Sequence, residues 1–285
     1  MKKIFVVGSI NTDLVISTPK MPQAGETITG SNFFTAHGGK GANQAVASSR
    51  LGGNVIMCGC VGDDSFGKDA IESLRKDGID TSHIKTISGV ATGTAVIIIE
   101  DGNNRIILDK GANGYLSEKD VDEVLETAEK GDIYLTQLEN PIDIIGYGLK
   151  KAKEKGLYTI LNPAPANKSI IPYLKYCDII TPNETETELL GGEKELKEKI
   201  GTLLITLGSK GFKIIDKDGE RVYPCLKIKA VDTTSAGDTL CGGLASRLSK
   251  GYDIDKAGQF GSKAATIACT RKGAQPSIPF EDEVL

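Results

Sequence analysis

Short apolar runs alternate with amphipathic stretches along most of the chain. Lys3–Val7, Val55–Val61, Ile133–Gln137, Tyr158–Leu161, Asp178–Thr181 and Leu203–Leu207 are dominated by Ile, Val, Leu and other apolar residues. Parallel strands buried on both faces have this composition, and helices make the crossovers between them. The helix signals are present. Gly41–Leu51 is rich in small residues and stops at Gly52-Gly53. Ser117 opens a segment in which Val121, Val124, Leu125 and Ala128 share a face, Asp120 completes a capping box and Gly131 ends the pattern. A further helix runs from beyond Gln137 to Lys155 and Gly156. Leu240, Leu244 and Leu248, with Ala245 beside them, form one buried helix face that Gly251 stops. The pattern predicts an α/β protein with a central, mostly parallel sheet between helices.

Two segments break this rhythm. Thr94–Ile99 and Arg105–Leu108 flank Asp101-Gly102-Asn103-Asn104, a hairpin signal, and residues 12–35 hold strand-like pieces, Asp13–Ser17 and Glu26–Phe34, with no helix pattern. Together they predict a small β-sheet standing off the main body. A second hairpin, Phe212–Ile215 with Arg221–Tyr223 around Asp218-Gly219, reads as an antiparallel extension of the main sheet.

A length of 285 residues, 39% of them apolar, suits one large α/β domain with an appendage, or two small domains. The net charge of -4, with no basic block, argues against a dedicated surface for nucleic acid or anionic membrane. No apolar stretch approaches the roughly 18 residues of a membrane span. MKKIFVVGSINTD at the N-terminus lacks the longer apolar region and cleavage site of a signal peptide and reads as a first strand. Cys58, Cys60, Cys177, Cys225, Cys241 and Cys269 form no C-x-x-C pair and mostly sit in apolar runs, as buried reduced thiols do. With His37 and His83 as the two histidines, a zinc site or a histidine triad is disfavoured. The expected location is cytoplasmic.

Candidate chemistry begins with a decoy. Gly62 to Lys68 has the spacing G-x-x-x-x-G-K, but Asp69 stands where a phosphate loop needs Ser or Thr. Asp63 and Asp64 would also place negative charge in the cradle. They read better as acidic residues at a helix N-terminus. No G-x-G-x-x-G follows the first strand. The stretch VDTTSAGDTLCGG, residues 231–243, is more promising. Ser235, Ala236, Gly237 and Asp238 occupy the start of the Leu240–Leu248 helix, where free N–H groups and small side chains admit an anion. Asp238 is placed to take a proton from an attacking hydroxyl; alone, an Asp here also reads as a helix cap. His37-Gly38-Gly39-Lys40-Gly41-Ala42-Asn43-Gln44 brings donors and close-approach glycines into a second helix start. Asn11 and Asp13 lie just past the carboxyl end of the first strand, where ligands bind in open α/β sheets. Turn formation explains them equally well in isolation.

These motifs, together with Asn162-Pro163-Ala164-Pro165-Ala166, Thr181-Pro182-Asn183-Glu184-Thr185-Glu186, Thr206-Leu207-Gly208-Ser209-Lys210-Gly211 and Thr270–Ser277, appear in one order and cover nearly the whole chain. In this the chain resembles the ribokinase-like carbohydrate kinase family, its ribokinase branch more closely than the wider group of sugar and nucleoside kinases. The resemblance implies a sheet-and-helix body over residues 1–10, 36–92 and 111–285, and a β lid over 11–35 and 93–110 that closes on the sugar and often forms the dimer contact. It implies ATP-dependent phosphorylation of D-ribose at O5. Kinases for 2-deoxyribose, another sugar or a nucleoside are close alternatives, and a non-catalytic sugar-binding protein a more distant one.

By the same resemblance, Asn11, Asp13, Gly39, Lys40, Asn43 and Glu139 hold the sugar. Asp238 is the base, with Ser235, Ala236 and Gly237 as the anion hole; the family often has Gly where Ser235 stands. Asn183, Thr206, Gly208 and Gly211 bind nucleotide, and Glu186 reaches magnesium through water. Asp232, the carbonyls of Thr234, Ala268, Arg271 and Gly273, and the Ser277 hydroxyl match a site for a monovalent cation, usually potassium; oxygen-only ligation suits a hard ion. Ser262 stands where ribokinases can contact adenine with a histidine, so no base-specific contact is assigned there. The segment from Leu190 to Leu203 is short for the family's helix, and the last helix is expected to be abbreviated.

Overall fold

A computed structural model describes residues 1–101 and 103–285. In chain order its elements are β1 (Lys3–Val7), β2 (Asn11–Thr18), β3 (Ser31–Gly38), α1 (Lys40–Arg50), β4 (Asn54–Gly62), α2 (Ser65–Lys76), β5 (Asp80–Ile87), β6 (Gly93–Glu100) and β7 (Asn103–Asp109). The second half carries α3 (Glu118–Leu125), β8 (Ile133–Thr136), α4 (Ile142–Glu154), β9 (Tyr158–Leu161), β10 (Ile179–Ile180), α5 (Glu184–Leu189), α6 (Glu193–Lys199), β11 (Thr202–Thr206), β12 (Phe212–Asp216), β13 (Gly219–Tyr223), α7 (Ala236–Ser249), α8 (Ile254–Ala268) and α9 (Glu281–Val284).

The apolar runs make a nine-stranded sheet in the order β13-β12-β11-β10-β9-β8-β1-β4-β5. Strands β11 through β5 in that order run parallel. The β12–β13 hairpin extends the sheet antiparallel, as its turn residues predict. Alternation along β1 shows why the central strands are apolar on both sides. Phe5 and Val7 pack with Val121 and Val124 of α3 and Leu149 of α4. Ile4 and Val6 face the opposite layer, with Ala45 and Val46 of α1 and Leu244 of α7. Two apolar layers therefore cover the sheet, and burying that surface is the main drive to fold.

The off-rhythm segments form a separate four-stranded sheet, β3-β2-β6-β7. Its inner pair, β2 and β6, runs parallel, and both outer pairs are antiparallel. The chain passes from β1 through Gly8–Ile10 straight into β2, so this lid springs from the carboxyl edge of the main sheet.

Several expectations are corrected in detail. Glu26–Gly30 is not strand: the Glu26 carboxylate accepts the N–H of Gln23 and pairs with Lys20, closing a turn. Strand β3 instead runs on to Gly38, which pairs with Asn11, so a lid boundary at residue 35 cuts through a strand. Helix α3 has the expected capping box but ends at Leu125, because Glu126 tightens onto Glu123. Gly131, at φ 86, turns the chain into β8. The edge strand β5 escaped the sequence pattern because Asp80–Ile87 has one neighbouring strand and is mostly polar or exposed. The turn residue Gly102 of the first hairpin lies outside the described residues. The short segment before β11 holds two brief helices, α5 and α6, and the final helix, α9, spans Glu281–Val284. Among the described residues no helix is long and apolar enough to cross a membrane.

Candidate active site

Carboxyl ends of β1, β8 and β11 converge with the N-termini of α1 and α7. Helix α1 is pressed onto the β1–β2 connection. A Cβ on Gly41 would lie 2.5 Å from the carbonyl carbon of Gly8, and Gly39 has φ 87 with Asn11 N only 2.7 Å from where its Cβ would be. Both positions need glycine, the second for its backbone conformation as well. Ser9 fixes the contact: its carbonyl accepts the N–H of Ala42 and its Oγ accepts that of Gly41. The Ser9 hydroxyl in turn donates to Glu139 Oε2 at 2.5 Å, which also accepts the Lys40 N–H at 3.0 Å. Glu139 is thus seated on the first turn of α1, where the helix dipole favours a carboxylate.

Around it the sugar-side candidates gather. Asn11 Oδ1 accepts from Asn113 Nδ2 at 2.7 Å, and the same Asn113 amide brackets the backbone of Ile10. Asp13 is buried, and its carboxyl is pushed up to about 6, by burial first and then by the charges of Glu139 and Asp238. Lys40 is held above its ordinary value, chiefly by the charge of Asp238, with Glu139 and Glu186 adding to it against the opposing cost of burial. One ammonium therefore sits among several carboxylates.

Asp238 lies in the first turn of α7, 5% exposed. It does not cap the helix. Ser235 is the cap residue, and α7 has no side-chain cap hydrogen bond among the described residues. The carboxylate instead accepts from Asn43 Nδ2 at 3.1 Å and from Gln44 Nε2 at 2.9 Å, both on α1. The Ala236 N–H closes a turn on the Thr233 carbonyl at 3.2 Å, while among the described residues the Gly237 and Asp238 N–H groups bond no carbonyl outside the helix.

Beside this helix end opens a cavity of about 650 Å³. Thr206, Gly208, Gly211, Ala236 and Gly237 line it, so the expected nucleotide loop and anion hole share one space. Its apolar wall comes from Leu226, Ile228, Leu240 and Ala265, and Ser262 is on the lining. Cys225 and Cys269 are also there and half-exposed, unlike the buried Cys58, Cys60, Cys177 and Cys241. The Asn183 and Glu186 pair proves to be a capping box at the start of α5: Asn183 Oδ1 accepts the Glu186 N–H, and Glu186 Oε2 accepts that of Asn183. The box leaves Asn183 Nδ2 and Glu186 Oε1 outside it. Burial is the largest influence on Glu186 and lifts its carboxyl.

The candidate cation ligands are also brought together. Asp232 Oδ1 accepts the N–H of Thr234 and Oδ2 that of Gly273. Burial opposes its charge, but the Thr234 and Gly273 donors outweigh it and hold the carboxyl below its usual range. The N–H groups of Val231 and Asp232 reach the Cys269 carbonyl, and Ser235 bonds Ser277 at 2.8 Å. The loop that carries the expected anion hole is thereby tied to the Ala268–Ser277 segment. Arg271 directs its guanidinium to Glu283, which leaves its carbonyl as the group available here. The decoy is structural, as expected: Asp64 caps α2 and holds Thr92, and Asp63 holds Ser88 and Gly89.

Sequence reasoning assigned no role to the amides behind the carboxylates, Gln44, Asn113, Gln137, Asn162 and Gln275. Their one signal was polarity at the ends of apolar or small-residue runs. Which amide meets which partner depends on elements nearly 100 or more residues apart, such as Gln44 and Gln137 or Asn43 and Gln275.

Known proteins match this arrangement. The profile of the pfkB family carbohydrate kinases matches residues 1–281. A curated ribokinase from Haemophilus influenzae is 43% identical over 298 residues, covering 100% of this chain and 97% of its own. A deoxyribokinase from Salmonella typhi is 34% identical, covering 97% of this chain and 95% of its own. The structure of an Arabidopsis thaliana ribokinase complexed with ribose and ATP superposes with a TM-score of 0.87 at 29% identity, covering 99% of this chain and 97% of that one.

Proposed function

The chain belongs to the pfkB family of carbohydrate kinases and is a phosphotransferase, and from that premise we propose that it transfers the γ-phosphoryl group of ATP to O5 of D-ribose. One observation carries the reading. The buried Asp238 carboxylate sits in the first turn of α7, between the polar cluster of Asp13, Lys40 and Glu139 and the cavity that Ala236 and Gly237 line. A base, an acceptor site and a nucleotide site thus meet at one helix end. The names of the Haemophilus and Arabidopsis relatives support ribose and ATP as the substrates.

In this reading ribose lies against Asn11, Asp13, Gly39, Lys40, Asn43 and Glu139. Carboxylates accept from its hydroxyls, while Lys40 and the amides donate. Asp238 takes the O5 proton as O5 bonds to the γ-phosphorus and the bond to the bridging oxygen of ADP breaks. Backbone N–H groups of the Ser235–Asp238 turn hold the charge on the phosphoryl group in flight. Asn183, Thr206, Gly208 and Gly211 hold the nucleotide against the apolar wall.

The donors present fit two cations. Magnesium is commonly held by one or two carboxylates with phosphates and water, and Glu186 has one oxygen outside its capping box for that purpose. When bound it would neutralise charge on the β- and γ-phosphates. Potassium fits the oxygens of Asp232, Thr234, Ala268, Arg271, Gly273 and Ser277, since among the described residues no backbone N–H takes up the carbonyls of Thr234, Arg271 or Gly273. Its charge would order the loop bearing Ser235. The lid supports a homodimer: Phe34 on β3 and Ile106 and Leu108 on β7 are exposed apolar residues at the two edges of the lid sheet, surface that a second copy would cover. Six free cysteines agree with a cytoplasmic setting.

The Salmonella relative favours one second reading, 2-deoxyribose as the acceptor. The test is a panel of sugars and nucleosides with ATP and magnesium, each with and without potassium, followed by ATP consumption. Ribose should turn over fastest, and faster with potassium. Preference for 2-deoxyribose would overturn the choice of sugar. Ribose binding with no ATP consumed would overturn the reaction.

A further inference from the structure

We propose that Gln44 is a positioning residue for Asp238, held in one orientation by a chain of buried amides. The inference rests on the kinase reading of Asp238 and deepens it. Gln44 is fully buried on α1, and its Nε2 donates to Asp238 Oδ1 at 2.9 Å. Two neighbours complete its hydrogen bonds, and the anchored one, Asn162, dictates which end of the amide faces the carboxylate. Gln137 Nε2, at the end of β8, donates to Gln44 Oε1 at 2.7 Å. Asn162 Oδ1, beyond β9, accepts from Gln44 Nε2 at 3.1 Å. Asn162 is itself oriented, because its Nδ2 donates to the Thr181 carbonyl at 3.0 Å. If Gln44 turned over, its oxygen would face both Asp238 Oδ1 and Asn162 Oδ1, two buried pairs of acceptors that remain even if Gln137, whose Oε1 has no partner among the described residues, turned with it.

The other carboxylate oxygen is held in the same way. Asn43 Nδ2 donates to Asp238 Oδ2, and Gln275 Nε2 donates to Asn43 Oδ1 at 3.2 Å. Adjacent residues of α1 thus clamp the two oxygens from behind with neutral donors. Two donors at fixed points define the plane of the carboxyl group, which bears the lone pair that must meet the O5 proton. Asn43 also belongs to the expected sugar contacts. Gln44 does not, so its contribution reaches the reaction through Asp238 alone.

This separates two kinetic outcomes. Loss of a sugar contact raises KM; loss of base orientation lowers kcat with KM kept. Gln44→Leu should lower kcat about 10- to 100-fold, since small misplacement of a reacting group has effects of that size. Its KM values for ribose and ATP should stay within about threefold of native. Gln137→Glu presents an acceptor to Gln44 Oε1 and favours the reversed amide. It should lower kcat by a smaller factor, again with KM kept. The double variant should be no slower than Gln44→Leu, because the second change acts through the first.

Steady-state kinetics and melting temperatures on the purified proteins decide it. Native kcat in Gln44→Leu overturns the proposal, as does a rise in ribose KM at constant kcat or multiplicative losses in the double variant. Should Gln44→Leu not fold, Gln137→Glu decides alone, and unchanged kcat in that variant refutes the relay. A native enzyme that ignores ribose would overturn the substrate reading instead. The same variants are then measured on the best acceptor of the panel.

Discussion

The two halves of the candidate site are built from different materials. The candidate sugar side is made of charged and amide side chains, buried or half-buried, with Asn11, Asn43 and Glu139 held by partners from other elements. The nucleotide side is an open cavity bounded by backbone, glycine and apolar side chains. A small polyol offers hydroxyls whose directions must be matched one by one, so side-chain geometry carries its recognition. A triphosphate and a flat base offer charge and apolar surface, which N–H groups and a smooth wall can meet without fixed side chains. The first half should fail when its packing or hydrogen bonds are disturbed, even without ligand. The second should tolerate change until a ligand enters.

Asp238→Asn tests the boundary between the halves and should have the largest effect. It keeps the size of the side chain and removes the proposed base. We expect kcat to fall about 10³-fold, near 4 kcal/mol in the barrier, with ribose still bound by calorimetry. Activity within tenfold of native would remove Asp238 as the base.

Gly41→Ala attacks the packing of the sugar side. Its methyl would meet the Gly8 and Ser9 backbone at 2.5 Å, where neither strand nor helix can yield cheaply. Thermal denaturation of the free protein should show a loss of roughly 1–3 kcal/mol. The matching change on the other side is Gly237→Ala, whose methyl meets nothing within 4 Å. Its free protein should melt at or slightly above the native temperature, while kcat/KM for ATP falls as the methyl narrows the approach to the N–H groups. Equal destabilisation by the two alanines would erase the contrast.

Asp13 offers a pH test on the sugar side. Its carboxyl is pushed up to about 6, by burial and then by Glu139 and Asp238, against 3.8 ordinarily. The folded chain therefore keeps a proton that the unfolded chain has lost, between about pH 4 and 6. Stability must fall as pH rises through that window, and the deficit is complete above it. Its size is on the order of 3 kcal/mol. Asp13→Asn should raise the melting temperature of the free protein at pH 8, change it little at pH 4, and sharply raise the KM for sugar. No difference between the two pH values would mean that the charge is not costly where it sits.

The smallest effect should come from the apolar wall. Leu226→Ala, at a side chain 60% exposed, should leave stability within about 0.5 kcal/mol and raise the KM for ATP a few-fold. An unchanged KM would move the base elsewhere in the cavity.

How much of this was legible in the sequence follows the same division. Central strands could be read because burial on both faces forces continuous apolar runs, as in β1 and β8. The edge strand β5 could not, because one neighbour and a wet face leave no such run. Carboxylates and glycines such as Asp238, Glu139, Gly39 and Gly41 stood out by type and spacing. The apolar wall did not, because Leu226, Ile228 and Ala265 look like any other apolar residues until the chain surrounds a cavity with them. The Asn183–Glu186 spacing pointed to nucleotide and magnesium and not to the capping box that the pair forms at α5, which keeps one group of each residue outside it.

The sequence by itself determined the layer architecture, the strand-end location of the site and the residue types with chemistry to offer. Periodicity and local turn chemistry act over a few residues, and those features depend on little else. Only the tertiary structure decided that Asp238 accepts from α1 instead of capping α7, that Gln44 faces it nitrogen first, and that Asp232 binds two loops together. Hydrogen bonds between groups nearly 200 residues apart leave no local pattern, because what orients each amide is the next amide in the fold.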